Sequence, residues 1–141
     1  GAAAASPGVA LPDDAAAAAA TCDVLLVEDD PTVADVIGGL LQARGHRVAH
    51  ALHALAALTT QATRRFDVAL IDLDLPGMDG LALARQLRAM DFDRPMIAVT
   101  ARADSDAEPQ AIAAGFDGFL RKPVTGAMLA AVVVRRGEPA H

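Results

Sequence analysis

The chain is poor in several things. It has no Trp, no Tyr and only four Phe in 141 residues. Its core must therefore be aliphatic, built from Val, Leu, Ile, Ala and Met. A single cysteine, Cys22, excludes an internal disulfide framework and any Cys-based zinc cluster. No apolar run approaches the roughly 18–20 residues of a membrane span. Positive charge is also scarce: 12 Lys and Arg stand against 18 Asp and Glu, a formal net charge of −6. That balance argues against nucleic acid as the direct partner, because phosphate backbones call for a basic face. There is no initiating Met and no basic leader, so no signal peptide is read. The opening glycine points to a processed or excised piece of a longer protein.

What the chain does have divides it into a leader and one domain. Eleven of the first twenty residues are alanine, so the 53% hydrophobic content overstates the core. Residues 1–22, with Pro7, Gly8 and Pro12, read as an Ala/Pro-rich linker. Residues 23–136 read as the domain and 137–141 as a C-terminal tail.

From Asp23 onward, strand-like and helix-like segments alternate. Val24–Val27 is a short apolar run of the kind a doubly covered strand shows. Asp30 is placed to cap a helix that Pro31 opens and Gly45 closes. Gly38 and Gly39 lie inside it, where they suggest close packing. Residues 47–50 form a weaker strand, and Ala51, Leu55, Leu58 and Ala62 mark a helix face. Val68–Ile71 is a third strand, and Leu83, Leu87 and Met90 mark the next helix, with Asp79-Gly80 a structural turn at its start. Met96–Val99 is a fourth strand ending at Thr100, and residues 104–114 predict a short helix. Phe119-Leu120 lies in a fifth strand, and a last helix is predicted from Val124 to about Val134. The order is (βα)₅, a doubly wound five-stranded parallel sheet with helices on both faces.

Ligands of such a sheet bind beyond the carboxyl ends of its strands. Those ends carry Glu28 and Asp29, Asp72, Thr100 and Lys122. Three converging carboxylates repel one another unless a cation sits among them. An all-oxygen set suits Mg²⁺. With a lysine and a hydroxyl close by, the set describes a phosphoryl-transfer site in which a carboxylate is the nucleophile.

Val-Glu-Asp-Asp-Pro at 27–31, Asp-Leu-Asp-Leu-Pro-Gly-Met-Asp-Gly at 72–80, Val-Thr-Ala at 99–101 and Lys-Pro at 122–123 together resemble the receiver domain of bacterial two-component response regulators. The resemblance covers about residues 23–135 and implies the flavodoxin-like receiver fold. It implies Asp72 as phosphoacceptor, Asp29 as a direct Mg²⁺ ligand, Glu28 as a ligand largely through water, and the Asp74 backbone carbonyl as a further ligand. Thr100 would bond the phosphoryl group, Lys122 would pair with it, and Phe119 would be the aromatic switch. The phosphoryl donor would be a histidine kinase or a histidine phosphotransfer domain, in the cytoplasm. Such a domain catalyses only its own phosphorylation and slow dephosphorylation. The Ala/Pro-rich leader favours the receiver of a hybrid histidine kinase, whose parent protein can be membrane-anchored. A stand-alone regulator and the receiver of a DNA-binding regulator are the alternatives.

Other readings stand beside this one. Ile71-Asp72-Leu73-Asp74 resembles the Asp-x-Asp start of haloacid-dehalogenase-type phosphatases, with Asp72 as nucleophile and Asp74 as acid/base. However, the pair follows the third predicted strand, and no room is left for a cap domain. A phosphorylation-independent interaction module is the third reading, and the complete acidic set argues against it. An acidic turn after strand 1 also disfavours a flavin site. His46, His50, His53 and His141 lack metal-ligand spacing, and His50 and His53 read as surface residues. Finally, Asp74 and Arg102 are placed to face each other over the rim of the site as an ion pair that shields it from water.

Overall fold

A computed structural model of the chain describes residues 21–133. The expected linker, apart from Thr21 and Cys22, and the expected tail lie outside the described residues. The five strands are β1 (Asp23–Val27), β2 (Arg47–Ala51), β3 (Val68–Asp72), β4 (Met96–Thr100) and β5 (Gly118–Arg121). They alternate with helices α1 (Pro31–Ala43), α2 (Ala54–Thr63), α3 (Gly80–Ala89), α4 (Ala107–Ala114) and α5 (Gly126–Val132). All strand pairings are parallel, and the sheet order is β2-β1-β3-β4-β5. This is the doubly wound (βα)₅ fold the sequence pattern predicts.

The three central strands, β1, β3 and β4, read as apolar runs because both faces of the sheet are covered there, whereas the edge strands β2 and β5 are partly exposed. Side chains alternate between two cores. Leu25, Val27, Ala69, Ile71, Met96 and Ala98 pack with α2, α3 and α4 on one face. Val24, Leu26, Val68, Leu70, Ile97 and Val99 pack with α1 and α5 on the other. Each fully buried leucine here, such as Leu25 or Leu70, contributes about 2 kcal/mol of apolar burial.

The caps match the sequence logic. Asp30 accepts the backbone N–H groups of Thr32 and Val33, with Pro31 at the first helical position. Gly45 follows α1 with φ +90°, a left-handed conformation that glycine adopts without a Cβ penalty. Asp79 caps α3 through the Ala82 N–H at 2.8 Å.

Three details differ from expectation. Helix α4 begins at Ala107, not residue 104. The preceding loop is committed elsewhere: Arg102 N–H bonds the Thr100 hydroxyl, while Arg121 reaches the carbonyls of Arg102 and Asp104. Helix α5 begins at Gly126 rather than Val124, because Thr125 Oγ1 caps it by accepting the Met128 N–H at 3.1 Å. The Lys122–Pro123 peptide just ahead of it is cis. Gly38 and Gly39 do not serve close packing, since a Cβ on either would meet nothing within 4 Å.

At the amino-terminal edge of the sheet, Asp23 receives a two-pronged guanidinium contact from Arg47, 2.8 and 2.9 Å, with Arg64 at 3.4 Å. The Arg47 bond pulls the Asp23 carboxyl below its ordinary value of 3.8, against a smaller upward push from burial. A lowered carboxylate pKa gives stability that is present above the unfolded value and lost as pH falls through the folded one. Asp23→Asn is expected to cost about 1 kcal/mol or less at neutral pH, since the arginines are largely exposed. In urea melts, the gap between variant and wild type should close as pH drops below 3.8.

Candidate phosphoryl-transfer site

The sheet order places β1 and β3 side by side, with Val27 paired to Ile71. The chain leaves β1 toward β2 on one side, whereas β4 and β5 lie on the other. This is a topological switch point, where open α/β sheets bind ligands. Glu28 and Asp29 follow β1 directly and Asp72 ends β3, so the carboxylates of all three come within 4.8 Å of one another. Among the described residues, this is the cluster of His, Cys, Asp and Glu side chains fit to hold a metal ion. Its donors are all carboxylate oxygens, which suit a hard divalent cation. Glu28 and Asp72 are buried, and Asp29 is exposed at the mouth.

Lys122 enters from beyond β5. Its Nζ stands 2.8 Å from Glu28 Oε1 and 3.3 Å from Asp72 Oδ2. Burial works hardest against the lysine's charged form, but the bond to Glu28 and the fields of Asp72 and Glu28 together outweigh it. Its pKa accordingly lies above the ordinary lysine value. Burial likewise raises the Glu28 carboxyl above its ordinary value, with the Asp72 charge adding to it and the Lys122 and Asp30 bonds opposing. The ammonium has three donors and spends two on these acids, leaving one for an incoming oxyanion.

The remaining contacts set orientation. Asp72 Oδ1 accepts the Asp74 N–H at 2.9 Å. Thr100, fully buried at the end of β4, donates its hydroxyl to Asp74 Oδ2 at 2.9 Å and accepts the Arg102 N–H at 3.0 Å. Phe119 is half-buried against the core that α3 and α4 cover. Its ring lies 5.1 Å from the Arg121 guanidinium carbon.

The structure thus brings Glu28, Asp29, Asp72 and Lys122 together, with Asp74 and Thr100 adjoining them. It does not form the expected Asp74–Arg102 rim pair. Arg102 pairs instead with Asp104, two residues along the same loop, at 3.2 Å. A partner that close in the chain is reached with little ordering cost, while the Asp74 carboxylate is already engaged by Thr100.

Two residues of the site were not legible in the sequence. His50, expected as a plain surface residue, donates from Nε2 to the Glu28 carbonyl at 2.7 Å and so steadies the acidic turn. Gly80, expected only as part of a turn, is the first residue of α3, and its N–H bonds the Leu73 carbonyl. A Cβ there would lie 2.4 Å from the Asp72 carbonyl oxygen and 2.7 Å from Leu73 Cα. A glycine at a first helical position, eight residues past the key acid, was the available signal. His53 is a helix cap, accepting the Ala56 N–H, and the buried His46 accepts the Cys22 N–H.

Comparison with known proteins places the chain among its relatives. The family described as the response regulator receiver domain matches residues 24–134. Sensor histidine kinase AruS of Pseudomonas aeruginosa is 42% identical over 113 residues, covering 77% of this chain and 11% of AruS. Transcriptional regulatory protein AfsQ1 of Streptomyces coelicolor is 36% identical over 118 residues, 82% of this chain and 52% of AfsQ1. The chain therefore spans from about a tenth to half the length of these relatives. Among solved structures, the receiver domain of sensor histidine kinase PA1611 from P. aeruginosa, which has a magnesium ion coordinated in its active site cleft, superimposes with a TM-score of 0.74. It is 33% identical, and the match covers 81% of this chain and 95% of that one. The Vibrio cholerae chemotaxis protein CheY4 gives a TM-score of 0.74 at 27% identity, with 78% and 93% covered.

Proposed function

This chain belongs to the response regulator receiver domain family of two-component signal transduction, and we propose that Asp72 is the residue that takes the phosphoryl group. The observation that carries the assignment is the position of its buried carboxylate, within 4.8 Å of Glu28 and Asp29 and 3.3 Å from Lys122 Nζ. The family match over residues 24–134 disfavours haloacid-dehalogenase chemistry, and the complete set of Glu28, Asp29, Asp72, Thr100 and Lys122 argues against phosphorylation-independent binding.

The transfer is an in-line exchange. An Asp72 carboxylate oxygen attacks the phosphorus of a phosphohistidine. The new O–P bond forms as the N–P bond breaks, and the imidazole nitrogen keeps the bonding pair and takes up a proton. Lys122 directs its free N–H at a phosphoryl oxygen, and Thr100 offers its hydroxyl to another. Asp29, Glu28 through water, Asp72 and the Asp74 carbonyl are the groups we assign to Mg²⁺. When bound, the ion neutralises these acids and the charge on the phosphoryl oxygens. Phe119 is the aromatic we assign to the response, turning inward as Thr100 moves.

The donor is a histidine kinase or a histidine phosphotransfer domain. The likeness to the sensor histidine kinases AruS and PA1611 supports a kinase parent, and that to the transcriptional regulatory protein AfsQ1 supports a regulator parent. No helix among the described residues is long and apolar enough to cross a membrane. We place the domain in the cytoplasm on the strength of its proposed phosphohistidine donor, and the acidic balance of the chain argues against direct contact with nucleic acid.

Acetyl phosphate and Mg²⁺ are expected to add one phosphate per 141-residue chain by intact-mass measurement, and excess chelator should prevent it. Sustained turnover of para-nitrophenyl phosphate, with an aspartyl phosphate too short-lived to accumulate, would instead make the chain a phosphatase.

A further inference from the structure

The Thr100 hydroxyl has one proton to donate, and in this structure that proton is committed. It goes to Asp74 Oδ2 at 2.9 Å, while the oxygen accepts the Arg102 N–H at 3.0 Å. Phosphoryl oxygens are acceptors only at neutral pH, so Thr100 can bond a phosphorylated Asp72 only by withdrawing its proton from Asp74. The competing bond is charge-assisted, the stronger kind of hydrogen bond. Thr100 is fully buried, so its hydroxyl relies on these protein partners, although Asp74 itself is exposed.

We infer that Asp74 is a positioning residue that latches Thr100 in the resting state and sets how much phosphorylation must supply to switch the domain. The inference rests on the reading of Asp72 as phosphoacceptor. It assigns to the Asp74 side chain a role separate from that of its backbone carbonyl. The latch spans two strand ends. Asp74 is fixed to β3 by its own N–H on Asp72 Oδ1, and Thr100 ends β4, where it pairs in register with Arg121. When the hydroxyl leaves Asp74, the Arg102 N–H it accepts must follow or be released. Arg102 also presents its carbonyl to Arg121, whose guanidinium lies over the Phe119 ring. The bond that holds Thr100 thus holds the first residues of the β4–α4 loop beside the aromatic.

Removing the Asp74 charge would also favour an anionic phosphoryl group by simple repulsion relief, so the test must separate the two effects. Affinity of the full chain for beryllofluoride with Mg²⁺, a phosphoryl mimic, is to be measured for wild type, Asp74→Ala, Thr100→Val and the double variant. A latch predicts about tenfold tighter binding or more in Asp74→Ala, from release of one charge-assisted bond, and no such gain when Thr100→Val has already removed the hydroxyl. Asp74→Asn, which keeps an acceptor but not the charge, should show a smaller gain. Without beryllofluoride, the Thr100 methyl and Arg102 amide NMR signals should shift in Asp74→Ala. An equal gain in both backgrounds, no gain at all, or unmoved resting signals would overturn the latch. Undiminished beryllofluoride binding by Asp72→Asn would instead overturn the phosphoacceptor assignment beneath it.

Discussion

Asp72→Asn is expected to take up no phosphoryl group from acetyl phosphate, while Asp74→Asn still takes up one per chain. The carboxamide has no anionic oxygen to attack phosphorus, so labelling should fall to background rather than by a modest factor. The fold should survive the change. The carboxamide would keep an oxygen for the Asp74 N–H that Asp72 Oδ1 now accepts, and Lys122 would keep Glu28 at 2.8 Å. Removing one of three carboxylates that lie within 4.8 Å of one another also relieves repulsion. The metal-free variant should therefore melt no lower than wild type. That separates loss of the nucleophile from loss of structure. Labelling of Asp72→Asn at the wild-type level would show that another residue accepts the phosphoryl group. Loss of labelling in Asp74→Asn as well would return weight to the two-aspartate phosphatase reading.

Gly80→Ala should be among the most destabilising single-methyl additions in the chain. The added carbon would lie 2.4 Å from the Asp72 carbonyl oxygen, 2.7 Å from Leu73 Cα and 3.0 Å from the Asp72 carbonyl carbon. All three are backbone atoms at the end of a central strand. Leu73 N–H is tied to the Val99 carbonyl at 2.9 Å, so the strand end cannot give way as a flexible side chain would. The expected cost is about 3 kcal/mol or more, at the upper end for overpacking. For a domain of this size that is a melting-temperature loss of about 10 °C. Phosphoryl uptake should fall with it, because relief of the clash must move the backbone that carries Asp72. Gly39→Ala is the matched control. It lies exposed inside α1 with nothing within 4 Å of its Cβ position. That change should raise stability by about 1 kcal/mol, from helix propensity alone. Equal melting temperatures for the two variants would contradict the packing argument.

The contrast between these glycines shows where sequence reasoning stops. Both read as weak points or turns in the chain, and local propensity says only that glycine disfavours a helix. One is dispensable and the other excludes a methyl from the backbone beneath the phosphoacceptor. The difference lies in what stands opposite, which is fixed by the β3–α3 crossover and not by neighbouring residues. His50 and Thr100 follow the same rule. The carbonyl that His50 holds belongs to Glu28, 22 residues earlier, and the carboxylate that Thr100 holds belongs to Asp74, 26 residues earlier. Arg102 shows the reverse. A pair across the rim was reasonable from strand ends alone, yet the arginine bonds Asp104 two residues on, where closing the contact orders less chain.

By itself the sequence determined the parts whose causes are local or periodic. Apolar runs of four or five residues specified strands buried on both faces. Asp30, Asp79 and Gly45 specified where helices begin and end. The alternation of strands with helices specified a parallel sheet, and that sheet puts Glu28, Asp29, Asp72, Thr100 and Lys122 at one edge. Only the tertiary structure decided the partners at that edge: Lys122 between Glu28 and Asp72, Thr100 on Asp74, Arg102 turned away to Asp104, and Gly80 pressed against the backbone of Asp72. A strand-end position constrains a residue to an edge several ångströms wide, whereas a hydrogen bond or a methyl clash is decided within a few tenths of an ångström. That last margin depends on how the strand ends and the loops that leave them pack together, which no single segment of the chain encodes.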